Sequence, residues 1–144
     1  MPVRRATVRL HTDRSAREVV LFLAPNTPPE DLFEQEAPFF PAEQDGTIRF
    51  FARAAIASIV VDADSDEGPD SRDESLSDLG IPYETRSVTV HLRSGGEMSG
   101  TIASIGRTRT LDLLNQPSKS FPLRVDGKIH HIAKTHVEFI VELR

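Results

Sequence analysis

The sequence predicts a mainly β fold made of two small antiparallel barrels in tandem, each with one short helix, joined by an acidic flexible linker. Three observations support this fold class. The two halves of the chain resemble each other, a strongly acidic segment separates them, and apolar residues alternate with polar ones along short runs in both halves. The predicted organisation is a first barrel over residues 1–62, a linker over 63–86 and a second barrel over 87–144.

The acidic segment dominates the charge of the chain, which has 144 residues and a formal net charge of -5. Residues 62–79 contain eight acidic side chains and a single basic one, Arg72. Because like charges repel and few apolar side chains are present to bury, this segment is expected to stay solvated. The sequence contains no cysteine, which excludes disulfide bonds and thiolate metal sites.

The internal repeat has a nearly constant register. Asp45-Gly46 and Asp126-Gly127 lie 81 positions apart, and the same offset relates matching residues throughout 31–60 and 112–141. The strands that open each half, 6–10 and 88–92, align at an offset of 82. We interpret this register as a tandem duplication.

In the first half, Val8 and Leu10 alternate with polar residues and predict a half-buried strand, and the apolar run 18–24 predicts a second. A short helix is expected after Thr27, which can cap it, and before Pro38. An Asp-Gly turn then precedes two closing strands, predicted over 47–53 and 56–61.

The second half follows the same plan. Its opening strand, 88–92, leads through Ser94-Gly95-Gly96 into a strand over 97–105. A short helix over 110–115, capped by Thr110, comes next. The closing strands are predicted over 128–134 and 137–143.

The segments VTVHLRSGGEMSGTI, LDLLN and DGKIHHIAKTHVEFIVEL of the second half resemble the pattern of Sm-like and SH3-like small barrels. The resemblance covers about 55 residues in each half and implies a small bent barrel with Gly100 inside a bent strand. Because Sm-like barrels often bind RNA, it also implies RNA binding as one candidate function. The chain is similar as well to small bacterial domains for which only a fold is implied.

Histidines form the one cluster that suggests a metal ligand set: His130, His131 and His136, with His91 in the same half. Adjacent strand residues point to opposite faces, so His130 and His131 are poorly placed to share an ion. We therefore expect no metal and no cofactor. Catalytic motifs of nucleophile elbows, zinc proteases and nucleotide loops are missing from the sequence, which predicts a protein that is not an enzyme.

The expected function is a non-catalytic adaptor or regulatory scaffold that binds another protein in the bacterial cytoplasm. Residues proposed to contact the partner are Phe33, Phe39, Phe40, Tyr83, Arg107 and Arg109, with packing in the core as the other explanation for the aromatic ones. The alternative is an RNA-binding protein that uses the basic second half, and there the basic residues lack stacking aromatics. No apolar segment has the length of a membrane helix, so no membrane partner is expected, and self-association into a homo-oligomer stays open.

Overall fold

The computed structural model describes residues 3–62, 83–105 and 109–143. Ten antiparallel strands make up most of this part of the chain, as predicted for the fold class. The strands are β1 Arg4–Thr12, β2 Ala16–Leu23, β3 Phe39–Gln44, β4 Thr47–Ala52, β5 Ile56–Asp62, β6 Tyr83–Leu92, β7 Glu97–Ile105, β8 Ser120–Val125, β9 Lys128–Ala133 and β10 Val137–Glu142.

All ten strands belong to one sheet with the order β10-β6-β7-β8-β9-β5-β1-β2-β3-β4. The sheet is open, and its two ends in the described part of the chain are β10 and β4. The halves meet where β5 pairs with β9. The sequence predicted two barrels connected only by a linker, and it did not predict this direct pairing. Pairing β5 with β9 covers one edge of each half and satisfies backbone groups that water would otherwise have to solvate.

The strand order is the same in the two halves. The first half has β5-β1-β2-β3-β4 and the second has β10-β6-β7-β8-β9. The register agrees too, since Leu10 pairs with Ile59 in the first half and Val90 pairs with Ile140 in the second. Leu10 and Val90 are 80 positions apart, so the offset of 82 predicted for the opening strands is wrong by two residues. Shifting the alignment of the two opening strands by two residues leaves the same side chains on the inner face. The alternation of apolar and polar residues therefore cannot distinguish the two alignments.

The two Asp-Gly hairpins adopt the same backbone conformation, as their sequence predicts. Asp45 and Gly46 have φ angles of 53° and 78°, and Asp126 and Gly127 have 49° and 76°. Both residues of a tight two-residue turn need positive φ, and aspartate followed by glycine tolerates it best. These turns fix the register of β3 with β4 and of β8 with β9.

A cation after the fourth strand of each half holds the preceding short helix in place. The Arg53 guanidinium donates a hydrogen bond to the carbonyl oxygen of Leu32 at 2.5 Å, and the Lys134 Nζ donates to that of Gln116 at 2.7 Å. The backbone N–H groups of Arg53 and Lys134 also donate to carbonyl groups that are 81 positions apart, those of Pro38 and Lys119. Each half thus uses one positive side chain to satisfy carbonyl groups at a helix end.

The short helices lie between the second and third strands of each half, where the sequence predicted them. The first is a 3-10 helix, Pro29–Glu34, and the second is α1, Thr110–Leu114. The predicted threonine caps are wrong, because the capping positions are Pro28 and Arg109 and neither helix has a side-chain capping bond. Two further 3-10 turns, Arg53–Ala55 and Lys134–His136, connect the closing strands and were not predicted.

Each half has its own apolar core. The first cluster is built from the first half together with Ala133, and the second lies within the second half. The largest buried side chains include Leu10, Leu21, Ile56, Ile59, Leu123, Ile129 and Ile132. Two small cores side by side in one sheet mean that the pairing of β5 with β9 is what makes the halves a single unit.

The boundaries of the predicted linker differ from the observed strands. β5 ends at Asp62, and β6 begins at Tyr83, four residues before the predicted start of the second barrel at 87. The start of β6 pairs with β7 as far as Ile105, so the hairpin is longer than the apolar alternation alone indicated. The remainder of the predicted linker, 63–82, lies outside the described residues.

Candidate interaction surfaces at the sheet edges

The joint between the halves, formed by β5 and β9, shows how this fold makes an interface from two strand edges. Five positions are paired, from Ser58 with Ile132 to Asp62 with Lys128. Ser58, Ile59 and Ile132 are fully buried there. The joint therefore combines a backbone ladder with a buried interior in which Ile59 and Ile132 lie beside the polar Ser58.

Polar side chains on the neighbouring elements complete the joint. The carboxylate of Glu30 lies 3.5 Å from Nε2 of His131, and that of Glu34 accepts a hydrogen bond from the backbone N–H of Lys119 at 2.7 Å. His136 donates from Nε2 to the carbonyl oxygen of Ala54 at 2.7 Å. The short helix of the first half thus contacts the second half through its acidic residues.

Three histidines at the joint are held in their neutral form. Burial is the main cause that lowers the pKa of His130 to about 4, and unfavourable electrostatic interactions with His11, Lys128 and His131 lower it further. Burial also lowers the pKa of His131, although the Glu30 carboxylate opposes this shift. The pKa of His11, whose ring centroid lies 5.9 Å from that of His130, is lowered by burial and by Arg9.

These pKa shifts predict an acid-sensitive joint. Above pH 6.5, the ordinary histidine pKa, His130 is neutral in both the folded and the unfolded chain and has no effect on stability. Below it the unfolded chain binds the proton more readily, so folding stability is lost as the pH falls from 6.5 to about 4. Since His130 is only half-buried, we expect a loss of about 1–2 kcal/mol.

Chemical denaturation of the wild type and of the variant His130→Gln, measured between pH 7 and pH 4.5, checks this expectation. Glutamine cannot take up the proton, so the variant should lose less stability than the wild type as the pH falls. A difference between the two proteins that does not change with pH would contradict it.

Within residues 3–62, 83–105 and 109–143, the two ends of the sheet have a neighbouring strand on one side only and carry exposed apolar side chains. Phe50 on β4 is 73% exposed and Ile48 on the same strand is also exposed. At the other end, Phe139 and Val141 on β10 and Leu143 just beyond it are exposed. Five of the eight exposed large apolar residues of the described chain lie on these two edges, which makes the edges the main candidates for an interaction surface.

The exposed edges are the counterparts of the joint under the repeat register. β4 corresponds to β9 and β10 corresponds to β5, each at an offset of 81. Phe50 stands where the second half has His131, and Leu111, which is 62% exposed, stands where the first half has Glu30. The polar contact between Glu30 and His131 inside the joint is thus replaced at the open ends by two exposed apolar side chains.

The residues predicted from the sequence to bind a partner are not brought together. Phe33 and Phe40 lie in the core of the first half, in agreement with the alternative explanation that they serve packing. Phe39 is exposed on β3. Arg109 is exposed and forms an ion pair with Asp112, with Nε 2.9 Å from the carboxylate. Arg107 and the side chain of Tyr83 lie outside the described residues.

The predicted histidine cluster is dispersed. His131 faces Glu30, His136 binds Ala54, and His91 stacks on Phe139 with 4.2 Å between the ring centroids. His130 is near His11. Over the described residues, no group of three or more potential ligands is close enough to hold a metal ion.

Comparisons with known proteins return no similar protein: neither a family model, nor a curated protein, nor a solved structure matches the chain. Among the described helices, none has the length and apolar character needed to span a membrane.

Sequence reasoning missed Phe50 on the β4 edge and Leu111 on α1, the two most exposed large apolar residues of the described chain. Both were present in the repeat alignment, in which Phe50 replaces His131 and Leu111 replaces Glu30. Two apolar residues at positions where the other half has polar ones are the signal that could have found them. That signal becomes meaningful only once it is known that Glu30 and His131 touch across the joint.

Proposed function

We propose that the chain is a non-catalytic protein–protein interaction module, an adaptor or scaffold, that binds protein by strand addition at β4 and β10. The observation that carries the proposal is the pair of open sheet edges with exposed apolar side chains, Phe50 on one and Phe139 and Val141 on the other. An unpaired strand offers backbone N–H and C=O groups to an added strand, and apolar side chains give the added strand something to bury.

We further propose that the two halves are repeats of one small-barrel plan, similar to Sm-like and SH3-like barrels. The shared strand order, the matching Asp-Gly turns and the equivalent hydrogen bonds of Arg53 and Lys134 support this. The pairing of β2 with β3 and of β7 with β8 is short in both halves, which supports strong bending at the same place. Under this plan a repeat has two edges, and each half uses one of them in the joint.

The arrangement of titratable groups supports a role without catalysis. Among the titratable groups of the described residues, His130 has a large pKa shift, and it packs against the other half of the same chain and faces His11. The histidines with shifted pKa values therefore have a structural explanation in the joint, and acid–base chemistry is not needed to explain them.

RNA binding by the second half is the alternative, and the described residues favour it less. Arg109 gives two of its donors to Asp112, at 2.9 and 3.4 Å, so its charge is already compensated. Phe121, the buried aromatic residue of the second half, cannot stack on a base. Phe139 is exposed but stacks on His91.

Quantitative capture of proteins on the tagged chain tests the proposal. The variants Phe50→Lys and Val141→Lys place a charge on one edge each, and Val3→Lys changes an exposed apolar residue away from both edges. A protein retained by the wild type and by Val3→Lys, and lost from at least one edge variant, is the expected result. Equal retention by all four chains would contradict it.

The mobility of labelled RNA across a salt series tests the alternative. Adaptor function predicts no shift at physiological salt. RNA binding that weakens steeply with salt and disappears in the double variant Arg107→Ala, Arg109→Ala would overturn the adaptor proposal.

A further inference from the structure

The two open edges fit each other, and we propose that the partner bound at each edge is a second copy of this chain. In this arrangement β10 of one copy pairs antiparallel with β4 of the next, in the register that β5 and β9 use inside the chain. This inference rests on the proposed function and specifies its partner. It follows from the equivalence of the strands, since β10 is the counterpart of β5 and β4 is the counterpart of β9. The pairing of β5 with β9 inside the chain is therefore a template for the pairing of β10 with β4 between copies.

The register of the proposed contact follows position by position from the joint. Inside the chain, Ile59 pairs with His131 and Val60 with His130. Moving each residue to its counterpart at an offset of 81 pairs Ile140 of one copy with Phe50 of the next, and Val141 with Arg49. The same operation pairs Glu142 with Ile48. In this register the exposed Phe50 meets Ile140, which is half-buried against the second core, and the exposed Val141 and Ile48 each meet a charged residue of the other strand.

Burial at equivalent positions supports the same arrangement. Ile129 of β9 is 1% exposed within the joint, whereas its counterpart Ile48 on β4 is 48% exposed. Val60 of β5 is buried, whereas its counterpart Val141 on β10 is exposed. The two free edges thus carry apolar side chains at positions that the joint covers, and a second copy paired in the same register would cover them, with Glu142 and Arg49 as their new neighbours.

The two residues at the contact between the short helix and the paired strand differ together between the joint and the proposed contact. In the joint, Glu30 of the short helix lies 3.5 Å from His131. Between copies, the corresponding neighbours are Leu111 of α1 and Phe50 of β4. Both members of the pair are apolar, so neither would leave a buried charge without a partner. Because the two changes match, this part of the contact is apolar in both copies.

A contact between two identical edges fits less well. An antiparallel pairing of β10 with a second β10, centred on Ile140, would place Glu138 opposite Glu142 of the other copy, which already forms an ion pair with Arg86 of its own copy. Like charges directly opposite each other destabilise a sheet. The proposed contact of β10 with β4 avoids this repulsion and is head to tail. After two copies pair in this way, one β4 edge and one β10 edge of the pair are still free. Further copies can therefore add until a ring closes or a filament forms.

The mass of the protein in solution, measured by light scattering after size exclusion, tests the proposal on the full chain. The wild type should have a multiple of the chain mass of 16.0 kDa, and Val3→Lys should behave like it. Phe50→Lys and Val141→Lys should each reduce the mass to that of one chain. Both substituted positions are exposed, so the variants should keep the circular dichroism spectrum of the wild type.

Mixing the two edge variants gives the sharpest result. Phe50→Lys keeps an intact β10 edge, and Val141→Lys keeps an intact β4 edge, so together they should form a complex of two chains and stop there. A wild type with the mass of one chain at its highest soluble concentration would overturn the self-association. So would dissociation by only one of the two variants, which indicates identical edges in contact. If the wild type is a single chain but still captures another protein through these edges, the adaptor proposal stands and the second copy as partner is wrong.

Discussion

Replacing Gly100 with alanine is expected to destabilise the protein by about 3 kcal/mol or more, because the new methyl group has no room. A Cβ atom at this position would lie 2.3 Å from the backbone carbonyl oxygen of Arg124 and 2.9 Å from Cγ2 of Val125. A backbone oxygen in a neighbouring strand cannot move aside as a flexible side chain can. Strand β7 would have to separate from β8, with which its backbone is paired at one position, Thr101 with Arg124.

Thermal and chemical denaturation of Gly100→Ala measures this effect, and Gly96→Ala is the matched control. A Cβ at Gly96 meets nothing closer than 3.9 Å, so that variant should stay within about 0.5 kcal/mol of the wild type. If both variants unfold like the wild type, strands β7 and β8 are not as close as described. The difference in stability between Gly100→Ala and Gly96→Ala therefore measures the effect of close packing at Gly100, apart from the general effect of replacing a glycine.

The second large effect is expected at Ile129, in the joint. Ile129 is 1% exposed and pairs with Val61 across the two halves. Truncating a fully buried isoleucine to alanine removes apolar contacts and leaves a cavity, which costs about 2–5 kcal/mol. Because the residue lies where the halves meet, the loss should appear as weaker coupling between them as well as lower overall stability.

The control for Ile129→Ala is the same substitution at its counterpart, Ile48→Ala. Ile48 is 48% exposed at the open edge, so in dilute protein the free energy of unfolding should change by less than about 0.5 kcal/mol. At high concentration the same variant should weaken self-association, because the proposed arrangement buries its side chain between copies. Equal destabilisation of the dilute protein by the two substitutions would show that the joint and the free edge do not differ as described.

The local elements of this fold could be predicted from the sequence because they depend on neighbouring residues. β7 has the predicted bounds, and the Asp-Gly turns adopt the conformation that their residues favour. The closing strands of both halves agree with the prediction to within one residue at each end. The alternation of apolar residues and the residue preferences of tight turns act over a few neighbouring positions, so both can be recognised directly in the sequence.

The pairing between strands that are distant in the sequence could not be recognised in this way. β5 and β10 have similar sequences, IASIVVD and VEFIVE, yet in the part of the chain that the structure describes β5 is covered by a strand on both sides and β10 is an edge. Nothing within either strand distinguishes these states, since both present apolar residues that a neighbour could bury. The prediction also selected Phe33 and Phe40 as contact residues and passed over Phe50, because exposure depends on what packs against a strand.

The central claim is that the free edges repeat the internal joint, and a designed disulfide tests its register directly. The chain has no cysteine of its own, so only introduced cysteines can react. The double variant Arg49→Cys, Val141→Cys places them at positions that should face each other between copies. The double variant Val60→Cys, His130→Cys places them at the equivalent pair inside one chain. Directly opposed strand residues are close enough for a disulfide, with Cα atoms about 4.5–5.5 Å apart.

Under mild oxidation, analysed on a non-reducing gel, the first variant should give covalent multimers and the second a cross-link within a single chain. Shifting one cysteine by two residues, in the double variant Thr47→Cys, Val141→Cys, should abolish the multimers, since diagonal strand neighbours are about 7–8 Å apart. Multimers from the variant with cysteines at 49 and 141 and none from the shifted one would agree with the account. An internal cross-link without any multimers at the edges would contradict it.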